Sequence, residues 1–139
     1  MKKVLVINGP SLNMLGIREV DIYGKTTYKE LINMIKAKSK EEKIKVKCVQ
    51  SNYEGKIIDY IQKAYRKYDG IIINPGAYSH YSYAIRDAIV SVDIKTIEVH
   101  ISNVEAREDF RKKLVISDVC AKTISGHGVN GYLEALDEF

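Results

Sequence analysis

Short apolar runs alternate with amphipathic stretches along this chain. Val4–Ile7, Ile44–Val49, Ile71–Ile73, Thr96–Ile101 and Val119–Ile124 are brief, continuous and mostly β-branched, the pattern of strands buried on both faces of a parallel sheet. Leu114–Ile116 is a weaker run, either a loop or a short extra turn. Between the runs the apolar spacing turns helical. Leu31, Met34 and Ile35 form one stripe, with Thr26 or Thr27 available as an N-cap. Ile57, Ile58, Ile61 and Ala64 form the next, ending before Gly70, and Ala84, Ile85, Ala88, Ile89 and Val92 form the third. A short fourth helix is expected near Val104, with Asn103 available to cap it, and a fifth after Gly131.

Five repeats of strand then helix imply a single α/β domain over residues 1–139. The expected architecture is a flavodoxin-like doubly wound sheet of five parallel strands, order 2-1-3-4-5, with helices on both faces. In such sheets a ligand lies outside the carboxyl ends of the strands, near the switch in strand order. The residues that follow the apolar runs are polar and glycine-rich: Asn8-Gly9-Pro10-Ser11, Gln50-Ser51-Asn52, Asn74-Pro75-Gly76-Ala77, His100-Ile101-Ser102-Asn103 and Gly126-His127-Gly128. Turn residues are common in loops, so each is weak alone. Their convergence on one sheet edge points to a polar pocket.

Composition narrows the function classes. With 139 residues, 45% hydrophobic and 29% charged, the chain reads as an ordinary globular domain. No apolar run approaches the roughly 18–20 residues that cross a bilayer, and Met1–Ile7 runs into Asn8-Gly9-Pro10 as a first strand rather than a secretory signal. Cys48 and Cys120 sit inside apolar segments, as buried free thiols of a reducing compartment such as the cytoplasm. The net charge of +4 is mild. The lysines of Lys36–Lys47 are interleaved with Glu41 and Glu42 and not with aromatics, a solvated helix end rather than a nucleic-acid footprint. The charge instead suits an anionic metabolite.

Two motifs fail in context. Gly126-His127-Gly128-Val129-Asn130-Gly131 matches GxGxxG, but only eight residues follow it, leaving no room for the second strand and acidic residue of a dinucleotide site. Gly24-Lys25-Thr26 resembles the end of a Walker A loop, yet Glu19 stands where its first glycine belongs. The three histidines, His80, His100 and His127, show no metal-ligand spacing. His100 closes the fourth apolar run, two residues after Glu98, so both side chains share a face. A carboxylate beside an imidazole fixes its tautomer and favours its charged form, as a general acid requires; the alternative is a structural histidine at a strand end. His80 either donates to a ligand or caps the third helix, and His127 reads as a turn residue. The stretch Pro10–Gly24, fifteen residues with Arg18, Glu19, Asp21 and Tyr23, is long for this fold, and long loops are often lids. A guanidinium beside a phenol favours phenolate. Taken bare, Tyr23 is one of ten tyrosines and reads as a packing residue rather than a reactive one.

Several blocks in order, not one motif, resemble the type II 3-dehydroquinate dehydratase family. They are Asn8-Gly9-Pro10-x-Leu12, Leu15-Gly16-x-Arg18-Glu19, Tyr23-Gly24, Gln50-Ser51-Asn52-x-Glu54-Gly55, Asn74-Pro75-Gly76-Ala77-Tyr78-Ser79-His80, Arg86-Asp87-Ala88, Glu98-Val99-His100-Ile101-Ser102-Asn103, Arg107-Glu108-x-Phe110-Arg111 and Gly128-x-x-Gly131-Tyr132. The resemblance implies a hydro-lyase of aromatic amino acid biosynthesis or quinate breakdown that takes 3-dehydroquinate to 3-dehydroshikimate by anti elimination through an enolate. It also implies no cofactor, no metal and a homododecamer of four trimers. By the same resemblance Tyr23 is the base and Arg18 promotes its ionisation. His100 is the acid, Glu98 orients it, and Asn8 belongs to the catalytic set. Asn74, His80, Asp87, Ile101, Ser102, Arg111 and Ser11 would hold the substrate. Three positions depart from the family pattern. Ser11 replaces a usual Asn that helps hold a water against the developing enolate. Val20 replaces a usual Pro, which loosens the loop, and Tyr81 replaces a usual small residue. Two other readings are a catalytically silent homologue and a phosphate-binding or receiver-type module. The second of these lacks its phosphate loop and clustered acids.

Overall fold

The computed structural model describes residues 1–139. Strands β1 (Lys3–Asn8), β2 (Lys45–Gln50), β3 (Gly70–Asn74), β4 (Lys95–His100) and β5 (Lys122–Ser125) form one sheet. All four pairings are parallel and the strand order is 2-1-3-4-5. Helices α1 (Val20–Tyr23), α2 (Tyr28–Glu41), α3 (Glu54–Lys63), α4 (Tyr83–Val92), α5 (Asp109–Lys112) and α6 (Asn130–Leu136) connect and cover the strands.

Alternation along the strands sorts the core into two layers. Val4 and Val6 of β1, Ile72 of β3, and Ile97 and Val99 of β4 face Leu31 and Ile35 of α2 and Tyr132 and Leu136 of α6. Leu5 and Ile7 of β1 and Ile71 and Ile73 of β3 face Ile57 and Ile61 of α3 and Ile85 and Ile89 of α4. Helix α2 begins at Thr27, whose hydroxyl accepts from the Glu30 amide while the Glu30 carboxylate accepts from Thr27, a full capping box. On α6, a Cβ at Gly131 would meet Val99 at 3.1 Å and Ile124 at 3.3 Å. The second half of the GxGxxG sequence therefore serves close helix-to-sheet packing.

Two expectations change in the second half of the chain. The helix expected near Val104 is a single 3-10 turn, Val104–Ala106, with the Asn103 side chain accepting from the Glu105 amide. Only Val104 of that turn is buried, so no apolar stripe sustains a longer helix, and α5 restarts separately at Asp109. The run Val119–Ile124 becomes a strand only from Lys122. Before it, Ser117–Val119 is another 3-10 turn, where Arg86 of α4 forks onto the Asp118 carboxylate. The weak run Leu114–Ile116 is a loop that buries Val115 and Ile116 against the α3–α4 layer.

Candidate active site

A cavity of about 410 Å³ opens at the carboxyl end of the sheet, where β1, β3 and β4 terminate. Pro10 and Ser11 follow β1, Asn74, Gly76, Ala77 and His80 follow β3, and His100, Ile101 and Ser102 follow β4. Its other side is built from Leu12, Leu15, Arg18, Glu19 and Tyr23 of the stretch after β1, and from Val104, Arg107 and Arg111. The location is the one that strand order dictates for this class of sheet, because the connections leaving β1 and β3 diverge there.

The floor is a buried polar chain. Tyr132 of α6, fully buried, donates its hydroxyl to Asn8 Oδ1 at 2.6 Å and accepts from Asn74 Nδ2 at 2.9 Å. Burial pushes this phenol well above its ordinary range, so it stays neutral and able to donate. Asn74 Oδ1 in turn accepts from the Gly76 amide at 3.1 Å. Asn8 is wholly buried in this chain and does not reach the cavity. Of the two asparagines expected at the site, only Asn74 faces it. Gly9 is required beside them, because a Cβ there would stand 2.6 Å from the Pro75 carbonyl oxygen.

Tyr23 ends the short helix α1 and is half-buried. The Arg18 guanidinium carbon lies 4.3 Å from its ring centroid. The Tyr23 hydroxyl accepts a hydrogen bond from Arg107 Nη1 at 3.0 Å, and the same nitrogen donates to Ser102 Oγ at 3.1 Å. Two guanidiniums therefore flank one phenol. Of these two, the sequence points only to Arg18; Arg107 lies in the Arg107-Glu108-x-Phe110-Arg111 block, and its spacing of four from Arg111 is the one clue to it. Arg18 Nη2 also pairs with Glu19 at 2.6 Å, and this hydrogen bond holds the Glu19 carboxyl below the usual carboxylate range.

His100 ends β4 with its side chain almost fully enclosed. Its Nε2 lies 2.5 Å from Glu98 Oε2, and the Glu98 side chain is wholly buried. The strand period of two does bring these side chains to one face. His80 lines the same cavity. Its Nδ1 lies 2.9 Å from the Lys113 carbonyl oxygen, so Nδ1 carries the proton and donates, and burial favours the neutral ring. It does not cap α4, a role taken by Ser82, whose hydroxyl accepts from the Ile85 amide. Arg111 lines the rim and donates through Nε to Glu108 at 2.7 Å. The amides of Ile101 and Ser102 donate to no backbone carbonyl or side chain, which leaves them free for a bound anion.

Ser11 lines the cavity in a left-handed conformation (φ 68°) and donates its amide to Asn52 Oδ1 at 3.1 Å. Asp87, expected at the site, lies exposed on α4 and does not line this chain's cavity. His127 sits in the turn before α6, 2.5 Å from Glu134 through Nδ1, away from the cavity. No three His, Cys, Asp or Glu side chains converge as a metal cage. Arg18, Arg107 and Arg111 with two histidines face a single carboxylate, Glu19, so the cavity is cationic and matched to an anionic, hydroxylated ligand.

Comparison with known proteins agrees with this geometry. The family model described as Dehydroquinase class II matches residues 2–139. The chain is 60% identical over 137 residues to the 3-dehydroquinate dehydratase of Caldicellulosiruptor saccharolyticus, covering 98% of this chain and 94% of that protein. It is 54% identical to the Clostridium perfringens 3-dehydroquinate dehydratase over 97% of this chain and 93% of that protein. Among solved structures, the type II dehydroquinase of Butyrivibrio crossotus superposes with a TM-score of 0.97 at 59% identity, covering 99% of this chain and 96% of that one. With the strand order, the cationic cavity and these likenesses in agreement, the chain belongs to the class II dehydroquinase family.

Proposed function

We propose that this protein dehydrates 3-dehydroquinate to 3-dehydroshikimate by anti elimination, with Tyr23 as base and His100 as acid. The observation that carries the reading is a phenol and an imidazole, each held by charged partners, lining one cavity. A phenol held by two guanidiniums comes from the stretch after β1, and an imidazole held by a buried carboxylate comes from the end of β4.

The chemistry then follows from the environments. Tyr23, flanked by the Arg18 and Arg107 guanidiniums, takes the C2 proton and leaves an enolate delocalised onto the C3 oxygen. Ser11 and a water it holds stabilise that oxygen. The electron pair then expels the C1 hydroxyl, and His100, oriented by Glu98, delivers the proton that makes it water. Transfer of a proton from Tyr23 to His100 through solvent restores the site. Arg111 and the Ile101 and Ser102 amides receive the substrate carboxylate, while Asn74 and His80 hold ring hydroxyls. Asn8 acts one layer below, fixing Asn74 through Tyr132. Every step is a proton transfer or a bond cleavage, so the reading calls on no metal or cofactor.

Asp87 enters through assembly. On α4 it lies beside exposed Tyr83 and Val90 at helical spacing. In a homododecamer of four trimers this face meets a second copy and brings Asp87 to that copy's cavity. The free thiols Cys48 and Cys120 suit a cytoplasmic setting.

The test is turnover of 3-dehydroquinate followed by enone absorbance. The wild type should be active, and Tyr23→Phe should lose about 10³-fold in kcat, within the range expected for a positioned base. An active wild type whose Tyr23→Phe variant is equally fast would overturn the base assignment. Light scattering should give about twelve times the chain mass, and a monomeric mass would remove the role for Asp87.

A further inference from the structure

The acid side of the cavity has a support that its lining does not reveal. Glu98 is wholly buried, and its only ion-pair partner is His100. A buried carboxyl group needs hydrogen-bond donors for both of its oxygens. Two hydroxyls serve one of them here. Ser117 Oγ donates to Glu98 Oε1 at 2.5 Å, and Thr123 Oγ1 donates to the same oxygen at 3.1 Å. Oε1 is thereby held by hydroxyls while Oε2 is left for His100 Nε2.

The two donors come from different elements. Thr123 is the residue of β5 opposite Glu98 in the β4–β5 pairing, and paired residues of neighbouring strands project to the same face. Ser117 opens the 3-10 turn that Arg86 fixes through Asp118. Nothing else in the turn needs a hydroxyl at this position, since Val119 closes on Ile116 through backbone atoms alone.

We propose that Ser117 and Thr123 are positioning residues of the reaction: together they hold the Glu98 carboxylate with Oε2 aimed at His100 Nε2, so that His100 stays correctly turned as the acid. The inference rests on the dehydration reading for its kinetic consequence, but the carboxylate clamp itself does not. If Glu98 swung away, His100 would lose its orienting partner. Binding of the substrate, which is carried by other groups, would be untouched.

The experiment compares wild type with Ser117→Ala, Thr123→Val and the double variant, using kcat and KM for 3-dehydroquinate. The downfield proton NMR signal of the His100–Glu98 hydrogen bond is recorded on each. Loss of a hydrogen bond to a buried charge should lower kcat about tenfold for Ser117→Ala and less for Thr123→Val, with KM within about twofold. The double variant should fall further, and its downfield signal should move upfield or vanish. Ser117→Thr, which keeps the hydroxyl, should recover most of the activity. Unchanged kcat with an unmoved signal would overturn the proposal. So would a loss confined to KM, or equal losses for Ser117→Ala and Ser117→Thr, since both would mark a packing role. A wild type without turnover would remove the dehydration reading, and the signal alone would then decide whether the hydroxyls hold the carboxylate.

Discussion

Arg107 serves two acceptors with one nitrogen, the Tyr23 phenol and the Ser102 hydroxyl, and so links the stretch after β1 to the end of β4. Arg107→Gln keeps much of the side chain but removes the charge. It should lower kcat/KM by about 10²–10³, the range for losing one preorganised electrostatic donor, and Arg107→Lys should restore part of that. Equal activity in all three proteins would show that Arg18 suffices. Ser11 offers the opposite experiment. Its left-handed backbone is one that Asn adopts more readily than Ser, and Asn would also extend an amide into the cavity. Ser11→Asn should therefore raise stability by roughly 0.5 kcal/mol and increase kcat, read from a denaturant midpoint and from steady-state rates. A lower midpoint would show that the Asn52 contact depends on the smaller side chain.

At the scale of elements, the stretch after β1 is two pieces with different anchoring. Leu12 and Leu15 are buried, whereas Ile17, Val20 and Ile22 are exposed, so the half that carries Arg18 and Tyr23 has little apolar packing to hold it. The capping box of α2 begins three residues past Gly24 and sets where this stretch ends. Thr27→Ala should cost about 1 kcal/mol, the usual loss for a removed N-cap, measurable by thermal or urea unfolding. A loss well below that would mean the Glu30 carboxylate alone secures the first turn. The elements legible in the sequence were those with an apolar period. β1, β3 and β4, and the stripes of α2, α3 and α4, announce themselves because both faces of the strands, or one face of each helix, must be dry. The segment Asn103–Ala121 was not legible in this way. Its path is set by side-chain contacts such as Arg86 with Asp118, which leave no periodic trace. The same reason hid Arg107, Ser117 and Thr123: each acts on a residue 84, 19 or 25 positions away. Glu98 and His100, by contrast, sit two apart on one strand, and their pairing could be read directly.

Over the whole molecule, two half-buried thiols packed against the two apolar layers and one buried phenol tie stability to alkaline pH. Burial pushes the Cys48 thiol from 9.0 up to about 11 and the Cys120 thiol from 9.0 up to about 12. It also raises Tyr132 well above its ordinary phenol value. The unfolded chain would ionise these thiols from about pH 9, the native chain only near 11 and 12. Unfolding therefore releases protons in that window, and rising pH favours it. The melting temperature should hold up to about pH 9 and then decline steadily, and Cys120→Ala should flatten the decline relative to wild type. A melting temperature independent of pH between 9 and 12 would show that both thiols are already hydrated in the native state.

The bridge from Tyr132 to Asn8 and Asn74 spans 124 and 58 residues of sequence. A nascent chain that has emerged only as far as β5 already owns every strand of the sheet, yet not the phenol that ties the tips of β1 and β3 together. During synthesis the floor of the cavity thus closes only once α6 has emerged, and a chain stalled before it would lack both that floor and the helix that covers one face of the sheet.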